Sequence, residues 1–144
     1  GVYFGISLNH DRRHFTRAIM EVIAYSVRHR IEIIEKDFGV NIEEVRAVGG
    51  GARSKLWLSI MADIYRKPVI SLRGEEQECL GAAILAGTGI GLYRDAAEAS
   101  EKLFTVAERS EPRKENMPKY ERLFRIYADL HEKLRDPFKM LGEI

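Results

Sequence analysis

The strongest constraint on the fold lies at residues 45–51. A short strand, residues 45–48, runs directly into Gly49-Gly50-Gly51, and an amphipathic helix follows at once. Ser54 is placed to cap that helix. Leu56, Trp57, Ile60, Met61 and Ile64 share one of its faces. Arg66 and Lys67 suit its negative C-terminal end, and Pro68 stops it. Glycines let a ligand lie against bare backbone, and the helix beyond them presents N–H groups and a positive dipole end. Ligands in α/β folds commonly sit at such a place. A triple glycine is equally a tight strand-to-helix turn, and the residues alone leave both readings open.

The rest of the chain extends this alternation. Residues 2–6 are β-branched or aromatic around glycines and predict a strand. Phe15, Ala18, Ile19, Val22, Ile23, Ser26, Val27 and Ile34 recur at helical spacing and predict a helix over residues 14–37, with Gly39 past its end. Residues 69–72 predict a third strand. Residues 77–86 predict a helix that is apolar nearly all round and therefore buried. The Gly87, Gly89 and Gly91 series ends it as a stop and turn. A short amphipathic helix is expected over 95–104 and a polar linker over 108–118. The final helix carries Tyr120, Leu123, Phe124, Tyr127, Leu130 and Leu134 on one side. Strand–helix alternation of this kind implies an α/β fold with a small, mostly parallel sheet and flanking helices.

The whole chain has 144 residues, enough for one compact domain. A net charge of +1 supplies no electrostatic case for nucleic acid or an anionic membrane surface. No apolar run reaches the length of a membrane span, and no signal peptide is visible. The single cysteine, Cys79, excludes an internal disulfide and fits a cytoplasmic location. The opening Gly-Val-Tyr-Phe-Gly lacks a methionine, so the chain is expected to start inside a larger protein.

Known phosphate motifs do not fit the glycine run. Counted from Gly49, the second glycine of a P-loop falls on Ser54, and Lys55 is followed by Leu56. GxGxxG spacing is absent. Arg53 and Lys55 flank the loop and face ligand phosphate or solvent, with solvent the favoured reading. His10, His14, His29 and His131 show no metal spacing and are expected at the surface or at helix ends. Glu21 is expected to be solvated or bonded to nearby backbone. Glu75 and Glu76 are expected to complement a helix N-terminus. Trp57 and Cys79 are expected in the core. No nucleophile–base pair stands out, so no catalytic or metal-ligating residue is assigned. The three expected strands carry no acidic residue, which argues against a ribonuclease-H-type nuclease.

Three ordered segments resemble the FGGY carbohydrate kinases. Gly1-Val-Tyr-Phe-Gly-Ile6 followed after seven residues by His14-Phe-Thr-Arg-Ala-Ile-Met-Glu21 is similar to the family's second signature. Val45-Arg-Ala-Val-Gly-Gly-Gly-Ala-Arg-Ser54 resembles its adenosine-binding segment. Leu80-Gly-Ala-Ala-Ile-Leu-Ala-Gly87 resembles the helix that follows. Val22 departs from a glycine that often follows the glutamate in xylulokinase-like members.

The resemblance implies part of an actin-like, ribonuclease-H-like ATPase lobe, with residues 1–107 as its nucleotide-binding part. Residues 108–144 would be a linker and a C-terminal helix packed on the same lobe. It implies transfer of the γ-phosphoryl group of ATP to a sugar hydroxyl, with Mg2+ held by ATP and by residues outside the chain. On this reading Gly50, Gly51 and Ala52 pack against adenine, Gly49 shapes the turn, and Ser54 or Lys55 lies near the adenine or ribose edge. The wording around the glycines is most similar to xylulokinases, so D-xylulose is the expected acceptor. Gluconate, ribulose and other polyol or ketose acceptors stay open. In this family the catalytic aspartate and the sugar-binding residues lie upstream of such a segment, so the chain alone is expected to be inactive. Apolar surface left open by an incomplete lobe would favour self-association, for example as a homodimer. The alternatives are a non-catalytic nucleotide-binding or regulatory module of the actin-like superfamily and a plain interaction domain.

Overall fold

The structure, a computed structural model, describes residues 1–74 and 77–143. Among the described residues five α-helices and three strands run in the order α1 Arg12–Phe38, β1 Val45–Ala47, α2 Lys55–Tyr65, β2 Val69–Leu72, α3 Gln77–Gly89, α4 Ala96–Leu103, β3 Val106–Ser110 and α5 Met117–Leu141. A 3-10 turn, Gly50–Arg53, joins β1 to α2. The expected elements around the glycine run are all present, within one or two residues at their ends.

Local chemistry explains the helix boundaries. Asp11 caps α1 by accepting from the amides of Arg13 and His14, and His14 returns a ring nitrogen to the Asp11 amide. Gly39 closes α1 in the left-handed conformation, as its spacing predicted. Asp95 caps α4 through the Glu98 amide. Ser54 caps α2 by accepting from the Trp57 amide at 3.3 Å. At the other end of α2, Arg66 takes a left-handed conformation with φ of 60° and donates its amide to the Ala62 carbonyl.

Helix α2 is the centre of the molecule. Leu58, Ile60, Met61, Ala62, Asp63, Ile64 and Tyr65 are all buried, so the helix is enclosed on every side for two turns. Helices α1 and α5 cover it from one direction and the sheet from the other. Ala24, Tyr25, Ile31, Val69, Tyr120 and Phe124 complete the core. Burying one Leu or Ile side chain such as Leu58, Ile60 or Ile64 stabilises by about 1.5–3 kcal/mol. Leu56 lies outside the buried set and is 55% exposed.

Several expectations are corrected. Residues 2–6 form no strand, and Val2, Phe4 and Ile6 are exposed. β-Forming residues make a strand only where a neighbour completes the ladder, and among the described residues none does. The polar stretch from residue 108 begins inside β3, which pairs antiparallel with β2. Its charged residues suit a sheet edge, where like strands must not associate. The sheet is therefore mixed, order β1-β2-β3, with β1 and β2 parallel and β2 and β3 antiparallel. Helix α3 is largely exposed instead of buried, with Leu85 at 69%, and Cys79 is exposed as well. Apolar composition calls for a cover, and within this chain α3 packs mainly on α4. Glu75 and Glu76 lie outside the described residues.

Candidate functional site

Parallel strands β1 and β2 end side by side, and a cleft of about 250 Å³ opens at their carboxyl ends. Ala47 and Val48 leave β1 and run into Gly49, Gly50, Ala52 and Arg53 along one wall. Ser71 and Leu72 of β2 and Leu58 of α2 close the interior. Ala107 and Glu108 of β3 form the opposite wall. The volume is below the roughly 300–1,000 Å³ of a pocket for a whole drug-sized ligand, so the cleft has room for only part of one.

The glycines differ in what they do. Gly49 has φ of 81° and ψ of −175°, a conformation that a side chain resists. It lets the chain leave β1 and turn straight into the 3-10 turn. The amides of Ala52 and Ser54 then bond to the carbonyls of Gly49 and Gly51. A Cβ on Gly50 would meet nothing within 4 Å, so that position faces open space in the cleft wall. A Cβ on Gly51 would sit 3.3 Å from the Trp57 ring. Gly51 therefore gives room to Trp57, which packs partly buried against the core.

Of the residues singled out in the sequence, Gly49, Gly50, Ala52 and Lys55 line the cleft, whereas Gly51 and Ser54 do not. Ser54 is occupied as the α2 cap. Lys55 Nζ lies 3.0 Å from Glu108 Oε2, across the cleft mouth on β3. Ser71, Leu72, Ala107 and Glu108 were missed. The C-terminal end of β2 could have been found from its expected parallel pairing with β1. Glu108 sat in a stretch read as linker and carried no signal. It also places an acid on a strand, where none was expected.

Behind the cleft, Asp63 ties α2 to the segment that follows β3. Its carboxylate is fully buried and accepts from the Arg113 amide at 2.8 Å, from Arg113 Nη2 at 2.6 Å and from Asn116 Nδ2 at 2.7 Å. Burial raises its pKa, but the Arg113 and Asn116 hydrogen bonds outweigh that and hold it below the usual aspartate range. Glu21 is bonded to side chains and not to backbone. It accepts from Arg17 Nε at 2.7 Å and from the Tyr120 hydroxyl at 3.0 Å, which links α1 to α5. Among the described residues, no group of three or more His, Cys, Asp or Glu could hold a metal ion. None of the described helices is long and apolar enough to cross a membrane.

Comparison with known proteins agrees with this architecture. The model of the C-terminal domain of the FGGY family of carbohydrate kinases matches residues 1–90. The xylulose kinase of Bacillus subtilis is 35% identical over 136 residues, which is 94% of this chain and 27% of that protein. The glycerol kinase of Dechloromonas aromatica is 34% identical over 131 residues, 91% of this chain and 25% of that protein. The chain thus spans about a quarter of the length of the curated relatives it matches. The crystal structure of a xylulose kinase from Rhodospirillum rubrum superposes with a TM-score of 0.80 at 33% identity, over 96% of this chain and 28% of that one. A ligand-bound xylulose kinase from Lactobacillus acidophilus shares the fold, with a TM-score of 0.82 at 21% identity over 93% of this chain and 27% of that one.

Proposed function

The chain belongs to the FGGY family of carbohydrate kinases, and from that premise we propose that its protein transfers the γ-phosphoryl group of ATP to a sugar hydroxyl, this chain supplying the adenine seat. The observation that carries the reading is the cleft at the ends of two parallel strands, walled by Gly49 and Gly50. Bare backbone there admits a flat base at close range. Ala52 completes the apolar contact. Lys55 stands at the rim near the ribose or adenine edge. Gly51 and Ser54 act indirectly, by housing Trp57 and by capping α2.

No catalytic base is assigned to these residues, and sugar recognition is assigned to other parts of the protein. Phosphoryl transfer relies mainly on positioning and on neutralising charge. Among the described residues no cluster fits a resident metal, and Mg2+ would be held mainly by ATP and by residues outside this chain. D-xylulose is the proposed acceptor, supported by the xylulose kinases among the relatives. Glycerol kinases match at nearly the same identity, so a polyol is the competing acceptor. A cytoplasmic enzyme is the matching setting.

Gly50→Val is the cleanest test. Its branched side chain enters open space, so the fold should tolerate it, yet it occupies the base site. In the protein carrying this chain, the ATP KM should rise at least tenfold while the sugar KM stays within about twofold. Unchanged ATP kinetics would reject the adenine seat. Gly51→Val is a poorer probe, because it strikes Trp57. Turnover over a panel of pentuloses, polyols and aldonates identifies the acceptor.

A further inference from the structure

Glu108 places a carboxylate in the lining of the cleft. It stands opposite Ser71 in the β2–β3 ladder and faces the glycine wall across the cleft. Two links hold its strand to α2. The deeper one is the buried Asp63 with Arg113 and Asn116, which fixes the segment just beyond β3. The outer one is the Lys55–Glu108 pair, whose side chains are 82% and 39% exposed. An exposed pair of this kind is weakly held. Its carboxylate is thus available to a ligand while the strand behind it stays fixed.

A carboxylate only accepts hydrogen bonds, and it repels phosphate. Resting on the nucleotide reading above, we propose that Glu108 accepts from the ribose hydroxyls of the bound nucleotide and orients the phosphates away from β3. The ribose diol offers two donors and a carboxylate two oxygens, whereas polyphosphate offers only negative acceptors. The base then lies against Gly49 and Gly50, with the sugar toward Glu108. Lys55, 3.0 Å from one carboxylate oxygen, marks the side of the cleft toward which the Glu108 side chain reaches.

The test compares adenosine, 2′-deoxyadenosine and ADP binding to the protein and to its Glu108→Gln variant by calorimetry. The substitution keeps shape at a partly exposed position, and thermal melting checks that the variant folds. Adenosine and ADP should both weaken by the same factor, about tenfold, as expected for loss of a charge-assisted hydrogen bond. The 2′-deoxynucleoside should bind the unmodified protein more weakly and lose little more in the variant. Tighter ADP binding with unchanged adenosine would mean that phosphates face Glu108, and would overturn the orientation. Equal adenosine affinity in both proteins would overturn the contact. Failure of the unmodified protein to bind any of the three defeats the nucleotide reading itself, a result distinct from either.

Discussion

At the scale of single residues, burial decides what a charge does. Asp63 lies among Ala62 and Ile64 with no exposed surface, yet it is stable there because Arg113 and Asn116 satisfy it. Removing the acceptor leaves those donors without it. Asp63→Ala should destabilise the fold by about 1.5–3 kcal/mol, the range for hydrogen bonds to a charged group, as chemical denaturation would measure. The pH dependence has a definite sign. In the unfolded chain Asp63 titrates near the ordinary ~3.9, and in the fold it titrates lower. Its contribution is therefore complete above the unfolded value and is lost as pH falls through the folded one. Denaturation of Asp63→Asn across pH 5 to 2 should show a shallower loss than the parent. None of this was legible in the sequence, where Asp63 is one of many acids and Arg113 lies in a polar stretch far along the chain.

At the scale of elements, caps and periodicity were readable and neighbours were not. Ser54 as the α2 cap and Gly39 as the α1 stop follow from short-range chemistry, and both are found. Arg66 is an exception worth testing. It holds φ of 60° at the α2 C-terminus, where a residue with a Cβ is strained. Arg66→Gly should stabilise by about 1 kcal/mol, seen as a raised Tm. The loss of its 3.8 Å contact to Glu121 matters little, because Glu121 keeps Arg28 at 2.6 Å. Strand β3 escaped notice because an edge strand of Val, Ala, Glu, Arg and Ser reads as polar linker until β2 pairs with it. Residues 2–6 failed in the opposite direction, with strand-like composition and no ladder partner among the described residues.

At the scale of the whole molecule, one face of α1 and most of α3 remain open. Ile19, Val22, Ile23, Ile33 and Ile34 lie exposed on α1, and Leu85 and Ile90 at α3 are 69% and 83% exposed. Apolar area of this extent drives association. The chain by itself should therefore self-associate with rising concentration, as sedimentation velocity would show. Ile23→Lys should shift it toward monomer, and Tm should change little because Ile23 is outside the core. A sedimentation coefficient independent of concentration would count against this.

The sequence by itself determined the α/β class, the glycine turn between β1 and α2, the Ser54 cap, the Gly39 stop and the family resemblance, because each rests on local patterns of residues. The tertiary structure alone decided which wall each glycine serves, that Asp63 is buried and paired, and that Glu108 faces the cleft. Those outcomes depend on residues tens of positions apart, such as Asp63 with Arg113 and Lys55 with Glu108. Periodicity carries no record of such pairings, since they are set by how α2 and the sheet pack.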